Sequence, residues 1–588
     1  MEMKKTLKSM LAVILSACIL FSCMGTASAA GTADNSAIIG ASNFVNAIIN
    51  GALWLIELAY PFNDYMTVDE FLDGGSENFL EGTKTFIDAP ASGAKWQLGF
   101  GKASVVPANL ADGSKEYYTG GYMTQKINGV YDDQGVNAVA LNDSSGRGTA
   151  VFAALDGIGI SNADVRSIRK AVFEKLEAKG IKNDIIAINI NSTHCHTVID
   201  AQGFSLELIG QIFRNMLAVI PGIDPIRSID SEFYDELIDG ASDAIVEAYL
   251  AMEDGELYYF ETAGIGRDDE NGLYPDDEYD YLYDKRYQAE GFQHKIACFK
   301  FVPDNAESIP TVFSNLGAHP TSINRNTSLL SADYPHYMEE RMNEYGYNFV
   351  FLQGAQCAIS SKTGNVKTQA VLDEVDAYMK ANPDEEAYRG ARTFGYELAR
   401  LVNEAIGNAK RVDPILNVDM EEVVVPLDRG IFHLAAASQL LGFTVVKDRS
   451  NGTRFSFISE VGYIELGSDI VILTAPGEID PHLLYGNAVS AEESYLGTSW
   501  DLAYPAETLS DKTVLTLGLC NDAIGYILAD GDYAPFIADS LWAIEIGEWK
   551  LGESLFGEYH RHYEELLAAG GKAGSSVMGA INALIDAH

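Results

Sequence analysis

The residue types that can do chemistry in this chain fall in short stretches, each just behind an apolar run. The first stretch is Asn191-Ser192-Thr193-His194-Cys195-His196. It follows Ile185-Ile186-Ala187-Ile188-Asn189-Ile190, a short β-branched run that reads as a buried strand. Side chains alternate along a strand, so His194 and His196 are expected on one face. Two imidazoles at a strand end can both bind a metal, or one can bind while the other serves a substrate. A bare His-x-His also occurs as two structural histidines, so the reading depends on further segments.

Three such segments follow. Gly317-Ala318-His319-Pro320-Thr321-Ser322 ends the expected strand Thr311–Leu316. Ala475-Pro476-Gly477-Glu478 follows a strand ending at Thr474, and Gly518-Leu519-Cys520-Asn521 precedes Tyr526. Two histidines, a glutamate and a tyrosine from four strand ends could converge on one zinc. Zinc favours nitrogen and oxygen ligands, and a catalytic site keeps one position for water. Such water loses a proton near neutral pH and becomes a nucleophile.

Regular elements must carry these residues. A helix is expected from Ser161 as N-cap, with Asp164 in its first turn, Val165, Ile168, Val172 and Leu176 on its buried face, and Gly180 ending it. Further strands are expected at Leu257–Thr262, Lys295–Val302, Asn348–Leu352, Glu421–Pro426, Asp469–Thr474 and Thr513–Leu517. Further helices are expected at Glu232–Met252, Pro335–Glu344, Glu386–Ile406 and Ser554–Ala569. This alternation predicts a layered mixed α/β catalytic domain over 95–588, with the zinc site at strand ends, preceded by a helical N-terminal extension over 30–94.

Two apolar segments stand out. In Ala37–Tyr60, Asn43, Asn46 and Asn50 fall on one face of an amphipathic helix, which packs on the body of the protein or contacts a membrane surface. Phe204–Pro221 emerges close behind His196 and reads as core or as an apolar wall at the site entrance. Asp268–Asp284, rich in acids and tyrosines, reads as a solvated loop, with an unspecific calcium site as the alternative.

With 588 residues, 47% of them hydrophobic, the chain has ample material for a core. Its net charge of -44 and pI of about 4.4 exclude nucleic acid as a partner, which needs a basic patch. Residues 1–29 read as a Sec signal peptide: Lys4, Lys5 and Lys8, an apolar stretch from Met10 to Phe21, and the cleavage signal Ala27-Ser28-Ala29. Leu20-Phe21-Ser22-Cys23 is an overlapping lipobox-like stretch, so the mature protein is secreted or anchored to the envelope at Cys23. Cys195, Cys298, Cys357 and Cys520 remain; an exported protein could pair them, but three of the four sit inside motifs, and the expectation is free thiols filling small buried positions.

Taken together, the four segments resemble the neutral (non-lysosomal) ceramidase family. The matching stretches are Ser192-Thr193-His194-Cys195-His196, His319-Pro320-Thr321-Ser322 with Leu329-Leu330-Ser331-Ala332-Asp333-Tyr334, Pro476-Gly477-Glu478, and Gly518-Leu519-Cys520-Asn521 through Tyr526. Order and spacing agree from about Lys95 to near the C-terminus. The resemblance implies that His194, His319, Glu478 and Tyr526 hold zinc. It also implies that His196 faces the substrate and that Arg267 lies in the site. Ser360 aligns with a family serine, but Ala358 stands where the family has aspartate and Ser361 where it has proline. Thr197-Val198-Ile199 replaces a Gly-Pro-Gly-Gly run, the Thr-Thr-x-Glu-Glu-Tyr run after the tyrosine is absent, and no room is left for a C-terminal immunoglobulin-like domain.

The expected function is an exported zinc-dependent amidohydrolase acting on an N-acyl lipid such as a ceramide. His196 and Arg267 would stabilise the oxyanion, and Ser360 is a minor candidate nucleophile because no base can be named beside it. The competing expectation is a non-catalytic, envelope-associated lipid-binding protein on a decayed fold of the same kind.

Overall fold

A computed structural model describes residues 65–588 except 75, 121–124, 204–210, 212–213, 216–225, 266–280, 287–294, 324–326, 429–439, 449–454, 495, 534–544, 547–548, 551–563 and 565–567. The expected signal peptide, the Ala37–Tyr60 helix, Arg267 and most of Phe204–Pro221 and Ser554–Ala569 lie outside the described residues. Of the N-terminal extension, residues 65–94 hold one short helix, Val68–Asp73, closed by a capping box between Thr67 and Glu70.

Two sheets form the centre. The first contains β1 (Trp96–Ser104), β2 (Gly135–Asn142), β3 (Thr149–Leu155), β4 (Ile185–Ser192), β5 (Glu253–Glu261), β6 (Ala297–Pro303), β7 (Thr311–Leu316), β8 (Asn348–Gln353) and β9 (Lys410–Val412). Its order is β8-β7-β6-β5-β1-β2-β3-β4, with β9 also paired to β5. Neighbours are antiparallel except β3/β4 and β7/β8, which are parallel. The second sheet contains β10 (Leu416–Leu427), β11 (Val445–Lys447), β12 (Phe455–Leu466), β13 (Ile470–Thr474) and β14 (Thr513–Leu517). Its order is β10-β12-β13-β14, with β11 beside β12 and the β13/β14 pair parallel.

Helices cover the outer faces: α1 (Asn162–Ala178), α2 (Ser231–Leu250), α3 (Asp333–Glu344), α4 (Gln369–Ala381), α5 (Arg389–Ala405) and α6 (Ala573–Ala587). Alternation along the strands sorts the layers. Val136, Val151 and Ile188 point to α1 and α2, where Val165, Ile168 and Leu237 meet them. Val139, Phe152, Phe299 and Phe313 point the other way, onto Val418, Met420, Ile464 and Leu515 of the second sheet. That sheet's outer face packs on Val577, Met578 and Ile581 of α6. The protein is therefore a helix–sheet–sheet–helix sandwich, the layered mixed α/β architecture expected from the sequence.

Two local features explain why the layers sit so close. Gly99 and Gly101 of β1 lie under α2, where a Cβ would come within 2.0 Å of Ala248 O and 2.2 Å of Ala244 O. At the β4 edge, Arg169 of α1 reaches Glu460 of β12 at 2.7 Å and Arg166 approaches it at 3.3 Å. Glu460 is fully buried, and burial alone would raise its pKa. The two guanidiniums offset this and hold it below the ordinary carboxylate value.

The start of α1 departs from the sequence reading. Ser161 occupies the N-cap position, but its hydroxyl is buried and makes no capping bond. The Asp522 carboxylate does that work, accepting from Asn162 N at 3.1 Å. A carboxyl oxygen supplied from a distant loop thus satisfies the first free N–H of the helix in place of the Ser161 hydroxyl. The C-terminus follows expectation: Gly180 has φ 72°, and Ile181 N returns to Leu176 O at 3.0 Å.

Candidate metal centre

The parallel strand pairs of the two central sheets, β3/β4, β7/β8 and β13/β14, deliver their C-terminal ends to one place, and the chemistry-bearing segments leave from these ends. β4 leads to His194, β7 to His319, β13 to Glu478, and β14 to the loop Gly518–Asn521. The last segment is a splice. Leu519 O accepts from Ser192 N at 3.0 Å, and Asn521 N donates to Ile190 O at 2.8 Å. On its other side Leu519 N donates to Gly477 O at 2.9 Å, and Cys520 N to Ala475 O at 3.0 Å. One loop thus joins the histidine-bearing strand of the first sheet to the glutamate-bearing strand of the second. To do so Leu519 and Asn521 adopt left-handed backbone, φ 48° and 62°, a conformation that side-chain-bearing residues hold only under external constraint.

Glycines make the crossing possible. A Cβ on Gly477 would stand 2.3 Å from Gly525 O, and one on Gly317 2.3 Å from Ala355 O. A Cβ on Gly518 would stand 2.5 Å from Gly354 O. The short strands Glu478–Ile479 and Tyr526–Ile527 run parallel with Glu478 in register with Tyr526, which sets both side chains on the same face.

His194 and His196 do come together, although strand alternation is not the reason. β4 ends at Ser192, and His194 lies in the loop beyond it with φ 68°. Its backbone N–H donates to Gly157 O at 2.8 Å. This turn brings the two rings edge to face with centroids 4.7 Å apart. His319 joins from β7, 4.8 Å from the His194 ring and 6.1 Å from the His196 ring. One nitrogen from each of the three histidines lies within 4.8 Å of the others, so this buried group can bind a metal ion.

The hydrogen bonds fix how the rings present themselves. His194 Nδ1 lies 2.6 Å from Ile158 O, and His319 Nδ1 lies 2.9 Å from Ile359 O. A carbonyl only accepts, so both Nδ1 atoms carry the proton and both Nε2 atoms are left to face the site. Each Nε2 stands 3.2 Å from the same oxygen, Glu478 Oε2. His194 Nε2 and Glu478 Oε2 are buried and make no hydrogen bond of acceptable geometry. In a tetrahedral shell with bonds of about 2.0–2.1 Å, neighbouring ligand atoms lie about 3.3–3.4 Å apart. The observed 3.2 Å spacing and the converging lone pairs therefore suit a divalent cation held by nitrogen and oxygen.

The electrostatics agree. Burial would raise the Glu478 carboxyl, but His194 and His319 beside it more than offset this and hold its pKa well below the ordinary range. Burial depresses His194, yet the Glu478 charge outweighs it and the net shift is upward. His319 stays below its ordinary value, because burial exceeds its gain from Glu478 and the neighbouring His194 charge adds to the depression. The carboxylate is ionised and demands positive charge at this point.

Ser360 sits in the short strand Ile359–Ser361, paired with Leu282–Asp284 and bridged to His319. Ala358 packs with Cys357 and Tyr526 in one apolar cluster, which accounts locally for a small side chain at that position. All four described cysteines are free and buried, as expected. Cys195, between the two histidines, donates to Ala332 O at 2.8 Å, and burial pushes its pKa well above the ordinary thiol value. It is an inert filler. Sequence reasoning overlooked Gln353, at the end of β8. Its only sequence signal is an amide closing an otherwise apolar run, Asn348–Leu352.

No family model matches the chain, and no curated protein sequence matches it. Solved structures do. The crystal structure of neutral ceramidase from Pseudomonas aeruginosa superposes with a TM-score of 0.51 at 14% identity, covering 83% of this chain and 73% of that one. A structure of ceramidase complexed with C2 matches equally, at TM-score 0.51 and 14% identity, covering 83% and 74%. The fold is thus neutral-ceramidase-like. Among the described residues no helix is long and apolar enough to cross a membrane.

Proposed function

We propose that the protein is an exported zinc-dependent amidohydrolase that cleaves the amide of an N-acyl lipid of the ceramide kind. One observation carries this reading: two imidazoles with protonated Nδ1 atoms aim their Nε2 atoms at one ionised, buried carboxylate. His194, His319 and Glu478 would hold the zinc, with Tyr526, in register with Glu478, as the fourth ligand. Zinc bound there supplies Lewis acidity and makes water nucleophilic at neutral pH.

The rest is the work of side chains. Ile158 O and Ile359 O keep the two ligand rings in one tautomer and one orientation. His196, edge-on to His194 and less buried than either ligand histidine, is the group that would face the scissile amide and donate to its developing oxyanion. Arg267 is proposed as a second donor there. Ser360 would contribute position and not nucleophilicity. The N-acyl lipid as substrate rests on the likeness of fold and motifs to ceramidases, and export rests on the signal-like segment at residues 1–29.

Metal analysis tests the reading first. Purified protein should carry one zinc per chain, and a panel of N-acyl lipids and N-acyl amino acids should yield free fatty acid by mass spectrometry. Protein that folds without taking up zinc would decide for a non-catalytic lipid-binding protein on the same fold.

A further inference from the structure

The two ligand histidines come from strands that do not pair with each other: β4 lies at one edge of the first sheet, β7 toward the other. Something must set their separation. Between them stands Gln353, the last residue of β8 and fully buried. Its Nε2 donates to Thr193 O at 2.9 Å and to Ala318 O at 3.0 Å. Its Oε1 accepts from Ala318 N at 3.2 Å. Thr193 and Ala318 are the residues immediately before His194 and His319. Both partners of Nε2 are carbonyls and the partner of Oε1 is an N–H, so the amide has only one orientation that works.

Gln353 is itself held on the far side. Its backbone N donates to Asn191 Oδ1 at 2.6 Å, and its carbonyl accepts from Asn191 Nδ2 at 3.2 Å and from Gly518 N at 3.2 Å. Asn191 Nδ2 also donates to Gly518 O at 2.5 Å. Two amide side chains therefore connect the ends of β4, β7, β8 and β14, the same strand ends that deliver the histidines and the splice loop. Other buried amides bond elsewhere: Asn417 holds the backbone N–H and carbonyl of Ile87.

We propose that Gln353 is a positioning residue: its one side-chain amide fixes the spacing of His194 and His319 and thereby the metal affinity of the centre. This rests on the metal reading above. Gln353 touches neither the ligand atoms nor any substrate. It acts through the backbone of the two preceding residues, and ligand geometry looser by a fraction of an ångström weakens a metal site whose supporting groups are lost.

The test compares wild type, Gln353→Met and Gln353→Glu with Asn417→Ala as a control for loss of a buried amide. Gln353→Met removes all three bonds at similar volume. Gln353→Glu keeps the acceptor for Ala318 N and removes both donors when ionised. Zinc affinity is measured by competition with a chromogenic chelator, and coordination by the visible spectrum of the cobalt(II)-substituted proteins. Both Gln353 variants should bind zinc at least tenfold more weakly than wild type and show an altered cobalt spectrum. Asn417→Ala should keep wild-type affinity and spectrum even where its melting temperature falls as far. Wild-type affinity and spectrum in folded Gln353→Met, whose side chain has no amide donor or acceptor in any protonation state, would overturn the proposal. So would failure of both variants to fold, since a spacing role leaves a folded protein with a weak site. Wild-type protein that takes up no metal would defeat the metal reading and this inference with it.

Discussion

Gly477→Ala puts the geometry of the centre to its most direct test, because it changes no ligand and adds one methyl group. The new Cβ would lie 2.3 Å from Gly525 O and 3.1 Å from Ile527 Cδ1. The isoleucine can rotate away, but the carbonyl is backbone. Ordinary contact begins at 3.4 Å, so the two strands must separate by about 1 Å. Gly525 O is also the acceptor for Glu478 N at 3.0 Å, the first bond holding Glu478 beside Tyr526. Overpacking of this kind costs about 1–3 kcal/mol, and the weakened hydrogen bond about 1 kcal/mol more. In a chain this long, that lowers the melting temperature by only a few degrees. The effect on the centre is larger, since loss of the groups that hold a ligand in place costs about 10–100-fold in metal affinity. Zinc competition titration should therefore show a loss of about one to two orders of magnitude in a protein that is still folded. Gly364→Ala, whose Cβ meets nothing within 4 Å, is the matched control and should leave affinity unchanged. Wild-type zinc affinity in Gly477→Ala would refute the claim that this backbone contact holds Glu478 in place.

Other outcomes follow from the same structure. Glu478→Gln removes the ionised carboxylate that both histidine Nε2 atoms approach; zinc uptake by elemental analysis should drop at least tenfold, while a folded apo-protein persists. Glu460→Gln strips the charge that neutralises Arg169, which is 1% exposed, and should destabilise the protein by about 3–5 kcal/mol in urea titration. Asp522 is fully buried, and burial raises its pKa to about 7, with Glu460 adding to the rise. A carboxyl raised above its unfolded value of about 3.9 contributes stability that is complete below pH 4 and lost as pH climbs through 7. Wild type should therefore lose up to about 4 kcal/mol relative to Asp522→Asn between pH 4 and 8, and parallel stability profiles for the two would contradict the shift.

The sequence makes some parts of this protein legible and hides others for physical reasons. Of the strands that end in the centre, β4, β7, β8, β13 and β14 stand out as short, largely apolar runs closed by turn or polar residues, whereas β3 was not anticipated. β1 was not anticipated: Gly99 and Gly101 interrupt its apolar pattern, and they are there to admit the α2 backbone. β12 escaped because Ser456, Ser459 and Glu460 interrupt its apolar pattern, and only the partner arginines on α1 make a buried Glu460 tolerable. α6 follows Gly570 and Gly571 and opens with Gly574, Ser575 and Ser576, a composition that reads as loop. The histidine and glutamate segments were visible as motifs. What brings them together, Gln353 and the left-handed turn at His194, is a matter of long-range hydrogen bonds that no local pattern encodes.

The splice loop also dictates when the centre can come into being. Asn191 and Gly518 are 327 residues apart and Asn191 and Gln353 162 apart, yet all three meet beneath the histidines. Each such contact closes a very long loop, and chains dominated by non-local contacts fold slowly. No fragment ending before Gly518 contains the splice, so a partly synthesised or partly refolded chain holds the histidines without their spacing. Zinc uptake during refolding is then expected to lag behind the appearance of strands and helices and to coincide with formation of the contacts between the two sheets. On the proposed metal reading, the ion is acquired where folding ends, once both sheets are in place.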